Sequence, residues 1–214
     1  MKIELKQVAP ADIETRSMEI IRSELKEPLD PANEAVILRA IHTTADFDYA
    51  KTLTFSPDAV KKGVAALKSG ADIVTDTTMA LSGINKRVLH KFGGEVYNFI
   101  ADEAVAKEAK ARGITRAAVS MERAAAMGKH LVYAIGNAPT ALVRLYELWQ
   151  DGQLPAPALI VGVPVGFVNV VEAKELILTM DCPYIVARGR KGGSNLAAAI
   201  VNALLYTASK NERE

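Results

Sequence analysis

Five short apolar runs in the last two thirds of the chain constrain its fold more than any other feature. Each run leads through a polar or glycine-containing loop into a stretch with helical periodicity. Runs rich in Val, Ile and Ala are typical of strands buried on both faces, and their alternation with helices predicts a doubly wound parallel α/β sheet. The runs are ADIVTD (71–76), GEVYNFI (94–100), HLVYAIG (130–136), PALIVGVPVG (157–166) and CPYIVARG (182–189).

The first third of the chain is predicted to be helical. Residues 10–27 carry apolar side chains at roughly helical spacing, and a second helix over 32–51 follows, with Asn33 as its N-cap. A third helix is expected between Ser56, as N-cap, and Gly70, as its stop. Because the loops are short and no repeat or low-complexity segment is present, we expect a single domain over residues 1–214 with an additional helical N-terminal region.

Charge and composition exclude several classes of partner. The 214 residues carry a formal net charge of +1, without the basic excess that is usual in nucleic-acid-binding proteins. No run of about 18 apolar residues is present, and the N-terminal stretch MKIELKQVAP lacks the apolar centre of a signal peptide. The single cysteine, Cys182, excludes an intramolecular disulfide framework and a multi-cysteine zinc site. These features predict a cytoplasmic protein with no membrane or nucleic-acid partner.

Four loops at the expected carboxyl ends of the strands are rich in glycine and small polar residues. They read TDTTMALSGINK, AIGNAPTAL, GVPVGFVN and ARGRKGGSN. Ligands of open parallel sheets bind at this edge, where helix N-termini offer unpaired N–H groups. With the cations of the last loop, the pattern predicts a ligand with several anionic groups, although glycines of this kind also serve tight turns. Neither G-x-G-x-x-G nor a P-loop motif is present, so nucleotide binding is not supported.

The three histidines differ in their surroundings. His90 and His130 lie at segment boundaries, where surface or capping roles are expected. No His-x-His or His-x-x-x-His spacing occurs, so a protein metal site is not predicted. His42 lies in the second predicted helix, and Asp46, four residues later, would be placed to orient its imidazole. From the spacing alone, His42 is either a functional residue or an ordinary helix residue.

Seven segments together resemble one family, the precorrin-8X methylmutases and their cobalt-pathway relatives, the cobalt-precorrin-8 methylmutases. They occur in family order between about residues 13 and 200: IETRSMEIIRSEL, RAIHTTADFDYA, FSPDAV, TDTTMALSGINK, AIGNAPTAL, GVPVGFVNVVEAKE and ARGRKGGSNLAAA. The resemblance implies a flavodoxin-like fold with a five-stranded parallel sheet. It also implies a homodimeric isomerase that moves a methyl group between adjacent ring C carbons of a tetrapyrrole-derived macrocycle. No organic cofactor takes part, and any cobalt is carried by the substrate.

The resemblance also implies roles for individual residues. His42 matches the family's catalytic histidine and would protonate, or hydrogen-bond to, a ring nitrogen, creating the electron demand that methyl migration needs. Ser17, with Arg16 beside it, matches the substrate-binding serine. Further candidates for binding the substrate's carboxylates are Thr77, Thr78, Ser82, Arg116, Asn137, Arg188, Arg190 and Lys191. Met79, Phe47 and Phe167 would either cover the ring or pack in the core, and core packing is the default interpretation.

The substrate branch and the function class can be narrowed further by the resemblance. The segments IHTTADFDYA and TDTTMALSGINK are more similar to the cobalt-pathway enzymes, which favours cobalt-precorrin-8 as substrate and cobyrinate as product. The alternatives are a precorrin-8X methylmutase that makes hydrogenobyrinate, a non-catalytic corrinoid carrier with the same binding site, and a flavodoxin-like signalling or nucleotide-binding module.

Overall fold

The structure, a computed structural model, describes residues 9–210. Within this range, a six-stranded sheet is packed on both faces by helices. The strands are β1 (Leu53–Phe55), β2 (Ile73–Thr75), β3 (Val96–Tyr97), β4 (Val132–Ile135), β5 (Leu159–Gly162) and β6 (Tyr184–Ala187). After a short 3-10 turn, Pro10–Asp12, the helices are α1 (Ile13–Glu24), α2 (Glu34–Thr44), α3 (Tyr49–Thr52), α4 (Ala59–Lys68), α5 (Thr78–Gly83), α6 (Lys86–Lys91), α7 (Glu103–Arg112), α8 (Arg116–Ala126), α9 (Pro139–Gln150), α10 (Val170–Leu178) and α11 (Ser194–Ala208).

The five strands predicted from the apolar runs all form, and neighbouring ones pair in parallel. The order across the sheet is β1-β6-β5-β4-β2-β3, so the prediction of an α/β fold is confirmed. The sheet nevertheless has six strands instead of the predicted five, because β1 pairs antiparallel with β6 at the edge. A strand of three residues between two helices is too short to show an alternating pattern, and its pairing partner lies more than a hundred residues away in the chain.

The β1 edge also corrects the predicted start of the third helix. Ser56 does not cap α4, whose N-cap position is Asp58. Instead, the backbone N–H of Ser56 donates to Tyr184 O at 3.0 Å, and the hydroxyl of Ser56 accepts from Tyr184 N at 2.9 Å. Both bonds continue the pairing of β1 with β6, which is a tertiary interaction that local sequence does not encode.

The core consists of one apolar layer on each face of the sheet. On one face, α2 and α4 pack around α11, which is apolar on nearly all sides and therefore buried along most of its length. On the other face, α8, α9 and α10 cover β4 and β5. Residues of β2, β4 and β5 are fully buried, as expected for a parallel sheet with helices on both faces, whereas the edge strands β1 and β3 are partly exposed.

Two predicted segments differ from the structure in the N-terminal half. The helix expected over 32–51 is divided into α2 and α3, because Ala45 adopts a left-handed conformation (φ 53°) that ends α2. Asn33 occupies the N-cap position of α2, but its side chain donates to Asp30 Oδ2 at 2.8 Å instead of capping the helix. The stretch read as a loop after β2 contains the short helices α5 and α6.

Candidate functional site

His42 lies in the last turn of α2, with its side chain exposed. Ile37, Leu38 and Ile41 of the same helix are buried, and α2 packs against α11 and α1. The helix is therefore anchored by its apolar face while the imidazole points away from the core. Among residues 9–210, no hydrogen bond or ion pair engages the imidazole, which leaves both ring nitrogens available to a ligand.

Asp46 is not placed one helical turn after His42, as the sequence suggested. Because α2 ends at Thr44 and Ala45 turns the chain, the carboxylate of Asp46 reaches Lys191 Nζ at 2.6 Å. Asp48 contacts the same ammonium group at 2.6 Å. Hydrogen bonding from Lys191 lowers the pKa of Asp46, and the two carboxylates raise the pKa of Lys191. The acidic residues after His42 thus bind the loop that follows β6.

Thr44 shapes the turn that brings Asp46 to Lys191. Its hydroxyl donates to Ala40 O at 2.8 Å and accepts from Asp46 N at 3.2 Å. Asp46 Oδ1 in turn accepts from Asp48 N at 3.0 Å, so the turn is fixed by its own side chains.

Thr77 connects the end of β2 to the start of α11. Its hydroxyl donates to Ser194 Oγ at 2.8 Å and accepts from Ala80 N at 3.1 Å, which caps α5. The backbone at the end of β4 also packs directly against the start of α11. A Cβ added at Gly136 would lie only 2.6 Å from Ser194 Cα. The N-terminus of α11 is therefore held at the centre of the carboxyl edge. Thr78 and Ser82 lie on α5 and are exposed.

The three backbone N–H groups just before α9 are bound by the protein itself. The buried carboxylate of Asp76 accepts from the N–H groups of Gly136, Asn137 and Ala138 at 2.9, 2.8 and 2.7 Å. Burial raises the pKa of Asp76, while these three donors oppose the rise by stabilising the ionised form. Since β2 lies beside β4, Asp76 takes these three N–H groups and makes them unavailable to a ligand, whereas binding at the first turn of α9, from Pro139 onward, stays a prediction. The side chain of Asn137 is exposed and stays a predicted ligand contact.

The three cations of the β6–α11 loop, residues 188–193, each have a partner within the chain. Arg188 binds Glu175 with two hydrogen bonds of 2.9 Å. The guanidinium of Arg190 lies 5.5 Å from the centre of the Phe167 ring, in cation–π geometry. Lys191 bridges the two aspartates described above. Of the three, Arg190 has no carboxylate partner among the described residues, so it is the cation best suited to bind a ligand's carboxylate.

The remaining predicted binding residues lie on α1 and α8. Ser17 donates to Ile13 O at 2.8 Å within α1, and Arg16 pairs with Glu19 on the helix surface. Arg116 is the first residue of α8 and is exposed, and no ion pair engages it in the part of the chain that the structure describes.

Apolar side chains are exposed at the carboxyl edge. Met79 is 66% exposed, Phe167 81% and Val168 77%. The default interpretation of Met79 and Phe167 as core residues is therefore wrong, whereas Phe47 is partly buried against the core as expected. Rings and thioethers left in water at the end of a sheet are suited to cover an apolar ligand.

A groove of about 330 Å³ includes one of these exposed side chains, Met79. It lies between α2, α5 and α11, and it is lined by Thr43, which follows His42, by Met79, and by Asn195 in the first turn of α11. Arg39 also lines it and stacks over Tyr206 at 5.5 Å while forming an ion pair with Glu14 of α1. Met79 and the start of α11 thus border one surface, which also includes Thr43, the residue next to His42.

A larger cavity lies elsewhere, at the amino edge of the sheet. It measures about 910 Å³ and is lined by residues that precede the strands, among them Asp72, Lys129, His130 and Cys182. None of the predicted binding residues lines it. His130 donates through Nδ1 to Ala156 O at 2.6 Å, and since a carbonyl oxygen only accepts, Nδ1 carries the proton.

Lys174 is a residue that the sequence reasoning missed. It lies in α10, is fully buried, and donates to Gly189 O at 2.7 Å and to Lys191 O at 2.8 Å. Burial lowers its pKa to about 8. The only signal in the sequence is a lysine next to Ala173 on an otherwise apolar helical face.

Across 9–210, no group of three or more His, Cys, Asp or Glu side chains is arranged to hold a metal ion. No helix in this range is long and apolar enough to cross a membrane.

Comparison with known proteins identifies relatives over nearly the whole chain. A family model described as precorrin-8X methylmutase matches residues 12–207. The cobalt-precorrin-8 methylmutase of Salmonella typhimurium is 48% identical over 204 residues, which is 92% of this chain and 95% of that protein. That of Leptospira interrogans is 44% identical over 93% of this chain and 94% of its own length. The crystal structure of a precorrin-8x methyl mutase from Thermus thermophilus has a TM-score of 0.85 at 39% identity, covering 93% of this chain and 98% of that one.

Proposed function

Since the chain belongs to the precorrin-8X methylmutase family, we propose that it is an isomerase acting on cobalt-precorrin-8 and that His42 is its proton donor. The reaction moves a methyl group between adjacent carbons of ring C and gives cobyrinate. The observation that carries this assignment to a residue is the exposed imidazole of His42, which has no partner among the described residues and whose neighbour Thr43 lines the groove.

The proposed role of His42 follows from the electron demand of the reaction. A migrating methyl group needs an electron-poor acceptor carbon, and a proton or a strong hydrogen bond on the conjugated ring nitrogen provides it. An imidazole can donate and accept near neutral pH, and a positioned general acid contributes about 100- to 10,000-fold in rate. Because α2 is fixed by its buried face, His42 can be held in place without a partner for its ring.

The carboxyl edge also suits the shape of the substrate. The macrocycle is an apolar ring with acetate and propionate groups around its rim. Met79 and Phe167 would contact the ring, while Arg190, Arg116 and the start of α11 would bind carboxylates. Thr77, Thr78, Ser82, Asn137, Arg188, Lys191, Arg16 and Ser17 remain proposed as further contacts or as supports for them.

The groove is too small to enclose such a macrocycle, so the substrate would lie across it with one face uncovered. This supports the proposal of a homodimer in which the second copy covers the ring. The five parallel strands, taken alone, have the order 2-1-3-4-5, which supports a flavodoxin-like classification. We further propose one domain over residues 1–214 and a cytoplasmic location.

We propose the cobalt-containing substrate on the basis of sequence similarity and not on the basis of the reaction chemistry. The two relatives named as cobalt-precorrin-8 methylmutases are 48% and 44% identical, whereas the solved structure named as a precorrin-8x methyl mutase is 39% identical. Cobalt would arrive bound in the substrate, and the proposed reaction needs no organic cofactor.

The experiment that tests the assignment is a turnover assay with both substrates. The purified protein is incubated with cobalt-precorrin-8 and with metal-free precorrin-8, and the absorption change of the chromophore is followed. We expect many turnovers per protein chain and a higher kcat/KM for the cobalt form. A higher kcat/KM for the metal-free form would move the protein to the other branch. An absorption change that stops at one equivalent would identify a corrinoid carrier instead.

A further inference from the structure

Lys174 is a buried cation without a counter-ion. Its side chain is fully buried in α10, and none of the carboxylates in residues 9–210 pairs with it. Placing an unpaired ammonium group in a protein interior is costly, and the group is tolerated here because two carbonyl oxygens accept hydrogen bonds from it. A leucine or methionine would fill the same space at a lower cost. What the lysine adds is the pair of hydrogen bonds to Gly189 O and Lys191 O.

These two carbonyls lie on either side of Arg190 in the β6–α11 loop. The same loop is bonded to the preceding β5–α10 loop, residues 163–169, through Gly193 N to Val163 O at 2.9 Å and Gly166 N to Arg190 O at 3.1 Å. A Cβ on Gly192 would lie 2.1 Å from Val163 O, so the two loops are in direct backbone contact. Lys174 therefore supports, from the core, the backbone that carries Arg190.

The loop extends this support to the segment after His42. Lys191, whose carbonyl binds Lys174, sends its own side chain to Asp46 and Asp48. These aspartates follow His42 by four and six residues. One continuous set of hydrogen bonds and ion pairs thus joins α10, the loop and the end of the His42 segment.

We propose that Lys174 is a positioning residue for the methylmutase reaction, which fixes the β6–α11 loop so that Arg190 is held at the substrate's carboxylates. The proposal rests on the function proposed above. Lys174 acts through the loop and does not touch the substrate. Its removal is therefore expected to weaken substrate binding more than it slows the chemical step, because His42 is held independently by the packing of α2 on α11.

The kinetic test is a double-mutant cycle. We expect Lys174→Met to raise KM about tenfold and to change kcat by less than threefold. In an Arg190→Met background, the same substitution should change KM by less than twofold, because the cation that it positions is already gone. Lys129→Met, at the opposite edge of the sheet, is the control and should leave both constants unchanged. Additive effects of the two substitutions on KM would overturn the proposal.

A second readout does not depend on the reaction. Arg188, Arg190 and Lys191 are trypsin sites in the loop, and cleavage there can be identified by mass. We expect Lys174→Met to be cleaved at this loop about tenfold faster than the parent protein, with less than twofold change at other sites. Equal cleavage rates would show that Lys174 does not fix the loop, whatever the enzyme's substrate. If Lys174→Met does not fold, Lys174→Leu, which also lacks a donor, is used with Arg190→Met in both measurements.

Discussion

The two edges of the sheet differ in the size of their cavities and in how their polar groups are paired. The amino edge has the larger cavity, about 910 Å³, but its polar groups bind one another: Lys129 contacts Asp72 at 2.6 Å, and His130 contacts Ala156 O. The groove that includes Met79 and Asn195 at the carboxyl edge measures only about 330 Å³, and His42, next to its lining residue Thr43, has no partner among the described residues. In this protein the unpaired imidazole and the exposed apolar side chains, more than cavity volume, indicate where a substrate would bind.

The largest expected effect is the loss of kcat on substitution of His42, and His130 at the other edge is the control. His42→Ala should lower kcat by about 100- to 10,000-fold while substrate binding is retained, because the proton donor is lost and the groove is not. His130→Ala should change kcat by less than twofold. The measurement is steady-state turnover of cobalt-precorrin-8, together with a binding titration. Full activity of His42→Ala would remove the proposed mechanism.

The next expected effect is a difference in stability between variants of the two buried aspartates, Asp76 and Asp72. Asp76→Ala leaves three N–H groups at the start of α9 without an acceptor and should lower the free energy of unfolding by about 3 kcal/mol or more. Asp72→Ala removes one backbone acceptor and an ion pair with the half-exposed Lys129, so a loss of about 1 kcal/mol is expected. Denaturant unfolding of both variants measures the difference. Equal losses would mean that Asp76 is not the acceptor that holds α9.

Lys174 and Lys129 predict different pH dependences of the free energy of unfolding. Burial lowers the pKa of Lys174 from 10.5 to about 8, so between these values the unfolded state binds more protons than the folded one. The free energy of unfolding of the parent, relative to Lys174→Met, should therefore rise with pH by up to about 1.4 kcal/mol per unit between pH 8 and 10.

Lys129 provides the control for this measurement. Its contact with Asp72 raises its pKa above the ordinary value of 10.5, so it is protonated in both states between pH 8 and 9.5. The difference between the parent and Lys129→Met should be flat over that range. Unfolding curves recorded at half-unit intervals would decide the point, and parallel curves for the parent and Lys174→Met would contradict a lowered pKa.

The elements that could be predicted are those that a local sequence pattern determines. The five parallel strands and the helices between them follow from apolar runs and periodicity, because a strand buried on both faces is apolar throughout. The antiparallel strand β1 was not predictable, because three residues are too few to show an alternating pattern and because its partner β6 is distant in the sequence. The end of α2 at Ala45 was missed for a similar reason, because alanine rarely adopts a left-handed conformation and gives no signal of one.

For the site, residue types were predictable but their partners were not. The four glycine-containing loops follow the carboxyl ends of strands as predicted, and the role of His42 stays a prediction. That Asp76 occupies the start of α9 depends on β2 lying beside β4, and that Lys191 binds Asp46 depends on the turn at Ala45. Lys174 was missed because its role is defined by two carbonyl oxygens of a distant loop, and backbone acceptors are invisible in a sequence.

The smallest expected effect concerns the exposed apolar side chains. Phe167 is 81% exposed, so Phe167→Ser should leave the free energy of unfolding nearly unchanged. If the substrate ring covers Phe167, the loss of that contact should raise KM about tenfold, near the lower end of what burying a phenylalanine contributes. Ile114→Ser, at an exposed apolar residue between α7 and α8, is the matched control and should not change KM. An unchanged KM in Phe167→Ser would place the ring elsewhere and leave Phe167 to a protein interface, since a side chain of this size in water has otherwise no stabilising role.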